Sequence, residues 1–245
     1  MKQTPSELAH FLEQTYASPG TQIECAFPEE LIGGGAIHLR QMKAGAVCGF
    51  SHHLLGPAII KKALEAQENG FDAVVQLNNY DPGVEGARFV LKIPILGVGK
   101  ASCHLAATLS DRIGLIVPFD SSIPNAYRMI RSLGLSDFIS SIVPANPPAG
   151  KESTTEEVLQ CFELAGKKCL HEGAQIIVPL CGVFIPLTFS ANALSERVGI
   201  QVIDTLAIGI GLAELLVRCG LTHSEKAYPS FVKIRSSEIS ASKSS

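Results

Sequence analysis

Hydrophobic positions along this chain fall into two kinds of run. Short, mostly apolar stretches at 73–77, 93–98, 112–117, 175–180 and 200–203 have the length and composition of buried parallel strands. Longer segments at 56–70, 101–110, 124–133, 154–172, 188–197 and 205–219 read as helices. At 5–16 the residues Leu8, Phe11, Leu12 and Tyr16 share one helical face. Ser18-Pro19-Gly20 stops that helix, and Thr21 to Phe27 reads as a strand. Gly33-Gly34-Gly35 reads as a loop, 144–150 as a loop and possible hinge or lid, and the Ser-rich 236–245 as a disordered tail. The alternation predicts an α/β fold with mainly parallel sheets flanked by helices.

One half of this pattern repeats the other. At a constant offset of 103 residues, Gly70-Phe-Asp-Ala-Val-Val-Gln-Leu-Asn78 lies over Gly173-Ala-Gln-Ile-Ile-Val-Pro-Leu-Cys181. A polar, helix-forming segment ending in glycine precedes each run, and a helix and a further strand follow. The same corner therefore carries Asn78 in one half and Cys181 in the other. Ligands of open parallel sheets bind at the carboxyl ends of strands, so both corners are candidate walls of one site.

A chain of 245 residues can bury a large core, as one domain or as two small lobes. A net charge of −3 and 20 scattered basic residues leave no nucleic-acid footprint. The longest apolar stretch, Val202 to Val217, contains Asp204 and Glu214 and is too interrupted to span a bilayer. No signal-peptide pattern opens the chain. The cysteines at 25, 48, 103, 161, 169, 181 and 219 are odd in number and lack C-x-x-C spacing. That pattern predicts a reducing, cytoplasmic setting without a disulfide framework or a zinc site.

Cys181 is the leading candidate for chemistry. A helix N-terminus beside a cysteine at a strand-to-helix corner would lower the thiol pKa toward neutrality, where it could exchange a proton with carbon. The backbone N–H groups of Gly182 and Val183 could hold a developing enolate oxygen. A buried core cysteine is the structural alternative. Nucleophilic hydrolysis fits less well, because Pro179 and Val183 occupy positions where an elbow requires small residues. In the other corner, Asn78, Asn79 and Tyr80 precede Asp81-Pro82-Gly83. They could bind carboxylate, imide or ureido groups, or could simply form a turn. Ser121 and Ser122 read as substrate ligands or helix caps. His52-His53 reads as a loop pair, and no residue spacing calls for a metal.

With these residues identified, the chain resembles the aspartate/glutamate racemase superfamily, in its hydantoin/allantoin racemase branch. The markers are Tyr16-Ala-Ser-Pro-Gly-Thr21, Gly70-Phe-Asp-Ala-Val-Val75 leading to Asp81-Pro-Gly83, and Ile93-Pro-Ile-Leu-Gly97. Further markers are Cys181 after Ile176-Ile-Val178, Leu212-Ala-Glu-Leu-Leu-Val-Arg218 and Gly220-Leu221. The resemblance implies a cofactor-free enzyme of two pseudo-symmetric lobes with the active site in the cleft between them. It places 1–104 with 206–235 in the first lobe and 105–205 in the second, and implies a homo-oligomer acting on a small molecule. In such enzymes two cysteines face opposite sides of a substrate α-carbon.

Here Asn78 stands where the resemblance places the first cysteine, and an amide is no base near neutral pH. Relatives also open with a strand and a turn, whereas this chain opens at about that turn, Lys2 to Ser6. A truncated start or a lost strand is therefore expected, and Lys100 stands where an acidic residue is common. The expected function is a cofactor-independent racemase or isomerase acting on a hydantoin-like or amino-acid-like C–H acid through Cys181. The alternatives are a single-cysteine decarboxylase of the arylmalonate type and a catalytically degenerate binding homologue.

Overall fold

A computed structural model describes residues 4–28, 34–47, 49–148, 153–182 and 184–239. The first described element is α1 (Pro5–Tyr16), where Thr4 and Glu7 form a capping box, followed by α2 (Gly34–Lys43) and α3 (Gly49–Glu68). Strand β1 (Val74–Gln76), helix α4 (Val84–Arg88), strand β2 (Ile95–Gly97) and helix α5 (Val98–Leu109) follow. The next segment runs through β3 (Ile113–Val117), α6 (Ile123–Leu133), β4 (Ile139–Pro144) and α7 (Thr155–His171). It closes with β5 (Ile176–Pro179), α8 (Ala191–Val198), β6 (Gln201–Val202) and α9 (Thr205–Arg218).

All strand pairings among the described residues are parallel, as the apolar runs predict. Strands β1 and β2 form one sheet; the other has the order β4-β3-β5-β6. In the second sheet successive residues face opposite cores, following the pleat. Ile116 and Ile177 pack with Phe162 and Leu194 on one face, whereas Leu115, Val117 and Val178 pack with Ala126 and Ile130 on the other. Burial on both faces is why β3 and β5 lack polar interruption. Helix α9 packs against α1, α5, β1 and β2, while α5 also touches β5.

Several local expectations need correction. Residues 21–28 form no strand; Ile23 N–H instead donates to the Glu13 carboxylate, and Ile23 and Cys25 pack beside Leu8 and Leu12. Gly34 and Gly35 begin α2 rather than a loop, and Gly33 lies outside the described residues. Helix α3 starts at Gly49, so His52 and His53 are helical. Strand β4 carries no clear apolar signal in the sequence, because Ser140 and Ser141 interrupt its run and it sits at a sheet edge. In the expected hinge, Ala145 and Asn146 still bond to Val117 and Pro118 carbonyls, while 149 and 150 lie outside the described residues. The tail is ordered through Ile239, since Ser236 donates from its N–H and hydroxyl to the Glu68 carboxylate. Residues 240–245 are not described.

The segment after β5 is held from below by Phe162, fully buried in α7, whose ring lies 5.2 Å from Phe184 and 5.2 Å from Phe189. Phe162→Ala should lower unfolding free energy by about 3–5 kcal/mol, read as a reduced urea midpoint at unchanged slope. A loss below about 1 kcal/mol would mean that this cluster does not anchor the segment.

Candidate active site

The two corners predicted from the repeat meet directly. Gly182 N–H donates to Asn79 Oδ1 at 2.6 Å, and these residues are themselves 103 apart, one position beyond the Asn78–Cys181 pair. Asn79 is 2% exposed, and its Nδ2 donates to Thr205 Oγ1 at 2.9 Å, at the start of α9. Glycine is required at 182, because a Cβ there would lie 2.6 Å from Asn79 Oδ1 and 3.1 Å from the Leu77 carbonyl oxygen.

Asn78 is occupied with local structure. Its N–H donates to Gln76 Oε1 at 2.7 Å, and its Oδ1 accepts from Tyr80 N–H at 3.0 Å, an Asx turn. Asp81 has φ 51° and accepts from Gly99 N–H at 3.0 Å and Lys100 N–H at 2.7 Å. It thereby covers the first turn of α5. Burial pushes the Asp81 carboxyl up to about 6, against the pull of the Lys100 and Gly99 amides and the Arg88 and Lys100 charges.

Cys181 is 4% exposed, with Sγ 3.9 Å from the Ile116 carbonyl oxygen, in reach of a weak S–H donation. Among the described residues no helix N-terminus lies beside it: turns follow β5, and α8 begins only at Ala191. The start of α5 is taken by Asp81. With burial unopposed, the thiol pKa lies well above its ordinary value, the reverse of the lowering expected from sequence. At neutral pH Cys181 is therefore a protonated thiol. Val183 lies outside the described residues.

Tyr80 has a buried hydroxyl without a hydrogen-bond partner among the described residues, although Ser122 is near enough to pull its pKa down. Burial raises the phenol pKa most, and Cys181 is near enough to add to the shift. The Tyr80 ring stacks on His52 with centroids 4.9 Å apart and planes 27° apart. His52 is 7% exposed, its Nδ1 lies 3.3 Å from Asn125 Nδ2, and its ring lies 5.2 Å from that of His38. His38 in turn meets Ser51 Oγ at 3.0 Å. Burial first, then His38 and His53, push the His52 pKa down to about 4.

Ser121 and Ser122 both donate to the Val47 carbonyl, at 3.0 and 3.2 Å. Ser122 occupies the N-cap position of α6 without capping it through its side chain. The structure thus gathers Tyr80, Ser122 and Cys181, and joins Asn79 to Gly182. Asn78 and Ser121 are engaged with backbone groups. His38 and Asn125 escaped sequence reasoning, and His52, read there as one of a loop pair, lies on α3 instead. Among the described residues no group of three or more His, Cys, Asp or Glu side chains gathers as a metal site, and no helix is long and apolar enough to cross a membrane.

Residues 35–213 match the family described as Asp/Glu/hydantoin racemase. A hydantoin racemase of Pseudomonas sp. (strain NS671) is 26% identical over 175 residues, covering 70% of this chain and 68% of that protein. The allantoin racemase from Klebsiella pneumoniae superposes with a TM-score of 0.75 at 20% identity, over 94% of this chain and 89% of that one. An arylmalonate decarboxylase superposes with a TM-score of 0.51 at 15% identity, over 65% and 75%.

Two measurements check this geometry. Gly182→Ala forces a methyl group into Asn79 Oδ1 and should cost about 1–3 kcal/mol of stability by urea unfolding; a neutral substitution would refute the close approach. Asp81, raised in the fold above its ordinary 3.8, contributes stability that is complete below that value and lost as pH rises through about 6. The carboxyl band of Asp81, identified by difference infrared spectra against Asp81→Ser, should titrate near pH 6. A midpoint at or below 4 contradicts the burial account.

Proposed function

Because the chain belongs to the Asp/Glu/hydantoin racemase family, we propose that it is a cofactor-independent racemase acting at an acidic C–H centre through Cys181. The substrate is a hydantoin-like or amino-acid-like small molecule seated in a cleft beside the joined corners, between a lobe of 1–104 with 206–235 and a lobe of 105–205. The observation that carries this reading is the dry thiol beside the Asn79–Gly182 contact, held in its protonated form. A thiol of raised pKa delivers its proton to an enolate carbon and is then a strong base for the reverse step. The resulting thiolate recovers a proton from solvent, which closes the cycle.

Asn78 supplies no base on the opposite side at neutral pH. That proton step therefore falls to water, which favours hydantoin-type carbon acids, with their accessible enolates, over free amino acids. Gly182 N–H is committed to Asn79, so oxyanion contacts come from elsewhere in the site or follow a rearrangement of that bond.

The missing second thiol also favours a second reading, decarboxylation of a malonate. Loss of CO₂ would leave an enediolate, and Cys181 would protonate it on one face. Cytoplasmic location and a homo-oligomer belong to the same proposal; sedimentation at micromolar concentration, if it finds only monomer, removes the latter.

Polarimetry of an enantiopure 5-substituted hydantoin should show rotation decaying to zero with wild-type protein. Cys181→Ala should slow the decay at least about 10²-fold. Rotation that persists, with CO₂ released from a phenylmalonate and a single enantiomer formed, would establish the second reading instead. Unchanged activity in Cys181→Ala excludes both.

A further inference from the structure

His52 is a buried titratable group that the account of Cys181 leaves unused. It comes from α3, outside both repeated corners, and stacks on Tyr80, which the first corner supplies. Asn125 in α6 fixes one edge of the ring: its Nδ2 donates to Nδ1 at 3.3 Å. An imidazole whose Nδ1 accepts carries its hydrogen on Nε2. No partner holds that Nε2 among the described residues. Tyr80 presents a second unpartnered donor, its buried hydroxyl, in the electrostatic reach of Cys181. His52 and Tyr80 thus form one stacked pair, and its Tyr80 member lies in the electrostatic reach of Cys181.

Building on the proton-transfer reading above, we propose that His52 is a catalytic residue that donates its Nε2 hydrogen to the substrate oxygen on which negative charge develops as the α-proton leaves. Asn125 is its positioning residue, setting the tautomer. The Tyr80 hydroxyl donates beside it. The imidazole gives up no proton; it polarises the carbonyl as a fixed dipole in a site that needs no reorganisation. The groups facing it favour the uncharged ring: His38 at 5.2 Å and His53 are bases that repel a second positive charge, and Tyr80 offers a neutral ring face. This role also bears on the absence of a base at Asn78, because lowering the cost of the enolate lets a weak base such as water suffice.

The test combines kinetics with imidazole ¹⁵N spectra of the full chain, the His52 signals being identified by their loss in His52→Gln. The expected spectrum is an uncharged ring with hydrogen on Nε2 from pH 8 down to 5.5, and 5-benzylhydantoin should shift the Nε2 resonance. His52→Phe should lower kcat for hydantoin α-proton exchange about 10²-fold with KM little changed. His52→Gln, which keeps an N–H donor, should recover part of that loss, and Asn125→Ala should place part of the hydrogen on Nδ1. A ring that is cationic at pH 7, or carries its hydrogen on Nδ1 in the wild type, overturns the assignment. So does exchange in His52→Phe within about three-fold of wild type, and that outcome leaves the racemase reading intact. Wild-type protein that neither binds nor exchanges the hydantoin contradicts the racemase reading itself and takes this assignment down with it.

Discussion

The hydrogen bond from Gly182 N–H to Asn79 Oδ1 is the constraint on which the site depends. It joins the ends of two strands from different sheets at equivalent points of the repeat, and Asn79 passes the connection to Thr205 in α9. Asn79 and Thr205 are buried and Gly182 is half-buried, so leaving the Asn79 amide unsatisfied costs about 1–3 kcal/mol. Close approach elsewhere serves the same junction. Gly99 lets α5 run against the Asn79 carbonyl, where a Cβ would lie 1.9 Å away, and Gly209 lets α9 settle on Val98 and Val75. A side chain at 99, 182 or 209 would push these elements apart.

Dryness sets the chemistry of what the junction encloses. Burial raises the thiol of Cys181, the phenol of Tyr80 and the carboxyl of Asp81, and it lowers the imidazole of His52. Opposite signs on acids and bases have one cause, since a low-dielectric site disfavours every charged form. Thiol, phenol and imidazole are therefore uncharged donors at neutral pH. Such a wall is suited to negative charge that arises only when the substrate reacts, and in the proposed reaction Cys181 gives its proton before it takes one.

The period of the apolar runs made the parallel sheets legible, and the offset of 103 made the pairing of the corners legible, because both are local signals repeated along the chain. The family resemblance rested on the same segments and was supported by the match over residues 35–213. What failed was local geometry decided by tertiary contacts. The sequence around Cys181 resembles a strand-to-helix corner, yet Phe184 and Phe189 are drawn down onto Phe162 and the chain turns for several residues before α8. The Thr21–Phe27 segment has strand composition but finds no sheet edge among the described residues. His52, Asn125 and His38 come from three helices and share no spacing, so only folding could assemble them.

Proton NMR in D₂O of an enantiopure 5-substituted hydantoin, followed alongside its optical rotation, tests the central claim most directly: that the Cys181 thiol carries the proton that reaches the substrate carbon. The account predicts that deuterium enters the α-position as rotation is lost, and that both processes collapse together in Cys181→Ala. Racemic product without deuterium at that carbon, or deuterium uptake undiminished in Cys181→Ala, would contradict it.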